Sequence, residues 1–373
     1  MPSAVFVVGA RPNFVKTGPV VDALAAYPSV TPLVVHTGQH YDRALSEEIL
    51  ADLGFASPDR HLGVGSGTHA EQTARTLVEV ERVLLEERPG LVVVSGDVNA
   101  TLAGALAAAK LSIPVAHIES GLRSRDWTMP EEINRVLTDR LADVLFTHSP
   151  EARENLLAEG VAAARIHEVG NTMIDSLRRL EGRARSLRTW ERLGLEPRGF
   201  VLVTLHRPSN VDDPERLAGI VHGLGELARR APVSFPVHPR TRARLEGTGL
   251  AAALESSGVA VVEPLGYLEF LSLETAAGAV LTDSGGIQEE TSALGVPCYT
   301  LRANTERPVT LTLGTNTLLG DDPASIARVE IPAAPPGPSD IPGWDGRAGE
   351  RAAGILAEFL GAVPEPREAV GAG

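Results

Sequence analysis

Short continuous apolar runs alternate with stretches of helical period along almost the whole chain. AVFVVG opens the series at Ala4, and PLVVHTG, LVVVSGD, PVAHIES and VLFTHS continue it. Between them lie PNFVKTGPVVDALAAY, RALSEEILADLG, HAEQTARTLVEVERVLLEE, TLAGALAAAKL, EEINRVLTDRLA and EARENLLAEG, whose apolar residues recur at helical spacing. After Gly170 the alternation pauses over a charged helical connector, Arg178 to Gly199. A second series then begins: FVLVTLHRP, VSFPVHPR, VAVVEPLG, AVLTDSGG and VPCYTLR. Strands that are apolar throughout, joined by helical crossovers, predict parallel sheets covered on both faces. The chain is therefore expected to be α/β with two doubly wound, Rossmann-like domains, residues 1–172 and 173–345. A last helix over 346–362 is expected to pack back on the first domain.

In such sheets ligands sit beyond the carboxyl ends of the strands. That rule selects GARPNFVK, TGQH, SGDVNAT, HIESGLRS, LHRPSN, PVHPR, PLGY and TDSGG, which would line one cleft between facing halves. The length of 373 residues suits two domains, and 43% apolar residues support two cores. A net charge of −14 argues against a nucleic-acid or membrane-surface partner. Yet Arg11, Lys16, Arg135, His206, Arg207, His238, Arg240 and Arg307 all lie inside motif-like stretches, which suits a phosphorylated metabolite. No apolar run is long enough to cross a membrane, and residues 1–20 have no signal-peptide layout, so a cytoplasmic protein is expected. Cys298, the single cysteine, has apolar neighbours and reads as a buried structural thiol.

TDSGG turns a strand into a helix. Ser284 either caps that helix or, with Gly285 and Gly286, presents backbone N–H groups to a phosphate. Glu290, one turn on, either serves the helix dipole or accepts from a ribose diol. Arg11 and Lys16 flank another strand-to-helix turn and are placed for a diphosphate. Asp97 and Glu119 end two consecutive strands in acids, with Asn99 near enough to take the capping role. PEEINR adds Glu131, Glu132 and Arg135. Carboxylates converging in this way suit proton transfer. No histidine stands at ligand spacing from them, which argues against a metal site. His206 and His238 end buried strands beside arginines, as structural histidines or as donors to phosphate oxygens.

With these motifs in order, the sequence resembles the non-hydrolysing UDP-N-acetylglucosamine 2-epimerases. GARPNFVK, TGQH, GDVNATLAGALAA, HIESGLRS, MPEEINR, VGNTMID, TLHRPSN, PVHPR, LTDSGGIQEE and NTERPVT occur in the family's order. The resemblance implies a two-domain GT-B fold, a cytoplasmic homodimer, and inversion at carbon 2 of UDP-N-acetylglucosamine to give UDP-N-acetylmannosamine. It implies neither metal nor nicotinamide cofactor. Carried over by motif, the acid–base group is Asp97, Glu119 and Glu131 with His206. The UDP-sugar contacts are Arg11, Lys16, Arg135, His238, Ser284, Gly285, Gly286, Glu290 and Arg307. The chain departs from the family pattern at GARPN for GTRPE, which puts Asn13 in place of an acid, and at HIESGLR for EAGLR. It departs again at QHYDRAL for QHRxML, which keeps Gln39 without its regulatory partners. Rival readings from the same residues are a GT-B glycosyltransferase, a hydrolysing epimerase, an epimerase of a modified UDP-amino sugar, and a sugar-nucleotide sensor without turnover.

Overall fold

A computed structural model describes residues 2–9, 11–38 and 57–362. Gln39 and the helix expected over RALSEEILADLG lie outside the described residues. The chain divides into two compact units, residues 1–176 with 342–373, and residues 177–341. These limits differ by a few residues from those read at 172 and 345. The Thr172–Leu187 helix runs through the first division without a break, so no turn signal marks it.

The first unit holds seven parallel strands in the order β3-β2-β1-β4-β5-β6-β7. They are β1 (Ser3–Val8), β2 (Thr31–His36), β3 (Arg60–His61), β4 (Leu91–Ser95), β5 (Val115–Ile118), β6 (Val144–Thr147) and β7 (Ile166–Glu168). Phe6, Val93, Ile118 and Phe146 fill one face of the sheet and Val5, Val92, Val94 and Leu145 the other. The small residues of the Asn99–Lys110 helix are explained by how closely it packs. A β-carbon at Gly104 would stand 3.2 Å from the side chains of Val7 and Val94. The chain returns to this unit at its end. Trp344 Nε1 donates to the His148 carbonyl at 2.9 Å, and the Asp175 carboxylate accepts from Ala348 N and Gly349 N at the start of the Ala348–Phe359 helix.

The second unit repeats the plan with six parallel strands in the order β10-β9-β8-β11-β12-β13. These are β8 (Val201–Thr204), β9 (Val233–Pro236), β10 (Ala260–Val262), β11 (Ala279–Thr282), β12 (Cys298–Thr300) and β13 (Asn316–Leu318). Its core gathers Val201, Val203, Leu224, Phe235, Leu281 and Ile326. Cys298 is buried in it, and burial pushes its thiol up to about 12, beyond the range of a nucleophile at neutral pH.

In both sheets the winding reverses at the centre, between β1 and β4 and between β8 and β11. Such a reversal opens a crevice at the carboxyl ends of the two strands, where ligands of doubly wound sheets bind. In this chain those ends are Gly9 to Lys16, Gly96–Asp97, Leu205–His206 and Asp283–Ser284.

Candidate active site

The first unit's crevice is built on backbone that favours glycine and strains other residues. Gly96 has φ +67, and Glu119, at the end of β5, also has φ +67. A non-glycine residue held there costs roughly 1–3 kcal/mol and persists where its surroundings over-determine it. The surroundings do so. Lys16, from the Arg11–Ala23 helix, forms a buried ion pair with the Glu119 carboxylate. That pair lies against Gly96, where a β-carbon would meet Lys16 Nζ at 3.2 Å and Glu119 Oε2 at 3.3 Å. Lys16, expected to face a diphosphate, has its ammonium at Glu119 in this structure.

Asp97 follows Gly96 and pairs with Arg135 Nη2. Arg135 Nη1 is held by Glu132 at 2.9 Å, and Asn134 Nδ2 donates to the Asp97 carbonyl at 2.9 Å. Both residues come from the Pro130–Leu141 helix, so one helix fixes Asp97 by side chain and backbone alike. The adjacent glutamates of PEEINR separate in role. Glu132 is buried and accepts from Ser124 N, Ser124 Oγ and Arg125 N at 2.8–3.0 Å, a structural clasp. Glu131, on the first turn of the same helix, is half-buried. Asn13 is buried, accepts from Gly9 N at 3.2 Å and donates to the Ser95 carbonyl at 2.7 Å. A carboxylate would lack that donor, so the departure from GTRPE ties the ends of β1 and β4 together. Asn99 does not cap its helix, because Val98 is the N-cap. Its side chain bonds His69, Gln72 and Asn134 instead. Arg11 opens the first helix, and the structure describes its backbone alone.

In the second unit Asp283, fully buried at the end of β11, organises the mouth. It accepts from His206 N, Arg207 N and Asn210 Nδ2 at 2.9–3.0 Å and pairs with His206 Nδ1 at 3.0 Å. Burial pushes this carboxyl up, but His206, Asn210 and the Arg207 N–H outweigh it and hold it below the usual carboxylate range. With Nδ1 engaged, Nε2 is the nitrogen His206 offers to a ligand. His238 is exposed, its ring 5.4 Å from that of His206, and it caps the Pro239–Gly247 helix through Nδ1.

Ser284 is the N-cap of the Gly285–Leu294 helix by position, yet its side chain caps no N–H. The first N–H groups of that helix have no partner within it, which is the arrangement that receives anions. Gly285 is required by what lies behind it, since a β-carbon there would come within 2.3 Å of Arg307 Nη1. Arg307 is buried and ion-paired with Glu289 and Glu306. Arg307, expected to touch the sugar nucleotide, lies against the turn behind Gly285.

Glu290 accepts from Tyr267 Oη at 2.7 Å and lies beside Glu274. Among the described residues no N–H or O–H reaches either buried oxygen of Glu274. Burial, with the charge of Glu290 beside it, holds Glu274 well above the usual carboxylate range. Above the ordinary value of 4.5 the unfolded chain loses the Glu274 proton and the folded chain keeps it. The folded state then binds more protons, so this site lowers stability as pH rises. Glu274→Gln, which keeps the shape and cannot ionise, is expected to raise the urea midpoint near neutral pH. The gain should vanish near pH ~4, and an equal gain at both values would contradict this reading.

Asp283, Glu274, Glu306 and Tyr267 were not singled out from the sequence. Asp283 was legible as the acid inside TDSGG; the others come together only through tertiary packing.

Two Rossmann-like units in one chain, each carrying polar and charged residues at its switch point, place it in the GT-B fold class. A profile described as UDP-N-acetylglucosamine 2-epimerase matches residues 22–357. The chain belongs to that family. A UDP-N-acetylglucosamine 2-epimerase of Methanocaldococcus jannaschii is 43% identical over 94% of this chain and 97% of its own. A UDP-2,3-diacetamido-2,3-dideoxy-D-glucuronate 2-epimerase of Pseudomonas aeruginosa is 46% identical over 84% of this chain and 87% of its own. A crystal structure of the M. jannaschii enzyme in complex with UDP-N-acetylglucosamine and UDP superposes with a TM-score of 0.85. It is 41% identical and covers 96% of this chain and 100% of that one.

Proposed function

We propose that the enzyme interconverts UDP-N-acetylglucosamine and UDP-N-acetylmannosamine without net hydrolysis. The observation that carries this reading is the pair Asp97 and Glu119, each with its own cation, at the ends of adjacent strands in a chain of this family. The proton on carbon 2 is not acidic, so its removal must be coupled to departure of a good leaving group. A carboxylate takes that proton while the bond from carbon 1 to the diphosphate breaks, and both electrons leave with UDP. The sugar is left as 2-acetamidoglucal. A proton delivered to the opposite face of carbon 2, with return of UDP to carbon 1, completes the inversion.

Asp97 and Glu131 are the proton carriers in this scheme, and Glu119 positions or shares the proton. His206 Nε2, the Ser284 hydroxyl and the N–H groups of Gly285 and Gly286 receive the diphosphate as its charge develops. Arg11 and His238 add to that anion site, and Glu290 takes the ribose. Arg135 and Lys16 act through Asp97 and Glu119, and Arg307 through the turn. Neither metal nor nicotinamide takes part, so EDTA should leave the rate unchanged.

We also read the protein as a cytoplasmic homodimer. Val78, Leu85, Trp127, Ile133 and Leu137 are exposed apolar residues of the first unit, and Ile133 lines, with Leu77 and Ala74, a groove of about 460 Å³ between the His69–Glu87 and Pro130–Leu141 helices. Light scattering at twice the chain mass of 39.3 kDa would support the dimer, and the monomer mass would contradict it.

One NMR tube of protein and UDP-N-acetylglucosamine, with no acceptor, tests the activity. UDP-N-acetylmannosamine is expected. Free N-acetylmannosamine with UDP would mean a hydrolysing epimerase, and no turnover without an acceptor a transferase. Turnover of a 2,3-diacetamido uronic acid sugar alone would move the substrate toward that of the Pseudomonas relative. UDP itself should stabilise the fold, by roughly 2.7 kcal/mol at a hundred times its Kd.

A further inference from the structure

His117 and Asp139 take no part in the chemistry above, yet both are fully buried beneath it. His117 stands in β5, two residues before Glu119, and Asp139 on the Pro130–Leu141 helix. His117 Nδ1 lies 2.7 Å from Asp139 Oδ1, and Nε2 lies 2.8 Å from the carbonyl oxygen of Gly96, the residue before Asp97. Asp139 Oδ2 accepts from Gly121 N at 3.0 Å and pairs with Arg123 Nη1 at 2.7 Å. Arg123 is itself fixed by two bonds to Glu159, and Asn155 Nδ2 donates to the Gly121 carbonyl at 3.0 Å. One side-chain pair thus grips the backbone just before Asp97 and just after Glu119.

We propose that His117 and Asp139 form a positioning clamp that holds the Asp97 and Glu119 loops as one body. The role rests on the reading of those two acids as members of the proton-transfer group. A ring with an acceptor at each nitrogen makes both bonds only when it carries both protons. Asp139 supplies the opposing charge; burial pushes its carboxyl up, but His117 and Arg123 outweigh burial and hold it below the usual carboxylate range. The clamp is needed because both loops use left-handed backbone, at Gly96, Glu119 and Gly121, that the local chain does not favour. A small misplacement of a proton-transferring group costs rate out of proportion to the distance, while ligand contacts elsewhere are kept.

His117→Gln can donate to one partner and not both, and Asp139→Asn keeps shape with a single acceptor. Each is expected to lower kcat by roughly 10- to 100-fold with KM and the Kd of UDP within about threefold. Exchange of the Gly121 amide should speed up in both variants. In the unaltered enzyme, ¹⁵N signals of the His117 ring should show a proton on each nitrogen, as its two acceptors require. Unchanged kcat, a loss of UDP affinity that matches the loss of rate, or an unprotonated ring nitrogen would each overturn the clamp. If His117→Gln fails to fold, Asp139→Asn and the ring signals still decide. If the unaltered enzyme does not epimerise at all, the functional reading falls, while the ring signals and Gly121 exchange judge the clamp separately.

Discussion

Asp97→Asn and Glu131→Gln are each expected to lower the rate of epimerisation by roughly 10²- to 10⁴-fold, the contribution of a positioned acid or base. Both changes keep shape and hydrogen bonding while removing the group that takes or gives the proton. UDP should bind the variants within a few-fold of its normal Kd, because the residues assigned to the diphosphate and ribose, His206, Ser284 and Glu290, are untouched. Glu132→Gln makes the contrast. Its carboxylate clasps Ser124 and Arg125, so the expected loss appears first in the denaturation midpoint. An Asp97→Asn enzyme with near-normal turnover, measured by NMR on substrate, would remove Asp97 from the chemistry.

A large loss of stability is expected from Gly121→Ala. Gly121 has φ +82, and a β-carbon there would lie 2.2 Å from the carbonyl oxygen of Ala152, in the backbone of the Pro150–Ala158 helix. A helix carbonyl cannot turn aside as a side-chain tip can. Backbone strain and overpacking together should cost roughly 2–6 kcal/mol. Gly160 separates the two causes, since it has φ +81 and no atom within 4 Å of an added β-carbon. Gly160→Ala should cost only the strain, roughly 1–2 kcal/mol. Equal urea midpoints for the two variants would show that the Ala152 contact does not set the cost.

The two-sheet plan was legible because strands buried on both faces must be apolar throughout, and AVFVV, LVVVS and AVLT announce themselves in any context. The strands that escaped were β3, β7 and β13, two or three residues each at or next to sheet edges, too short for a pattern to form. The motifs at the strand ends were legible for the same reason, since a parallel sheet sends its carboxyl ends to one side.

Side-chain direction was not legible. Glu131 and Glu132 are identical in a sequence, and only the helix's rotation buries one and leaves the other half-open. Lys16 and Arg307 carry the charge a diphosphate wants, and nothing in the sequence shows that Glu119, Glu289 and Glu306 fold against them. His117 lies within an apolar strand, where the sequence shows one polar letter and nothing of the two acceptors waiting at its nitrogens.

Deuterated water tests the central claim most directly. If separate side chains remove and return the proton at carbon 2, that proton exchanges with solvent. UDP-N-acetylmannosamine formed in deuterium oxide should therefore carry deuterium at carbon 2, and UDP-N-acetylglucosamine recovered after many reversals should carry it too. Epimerised product that retains only hydrogen at carbon 2 would contradict proton transfer by these carboxylates.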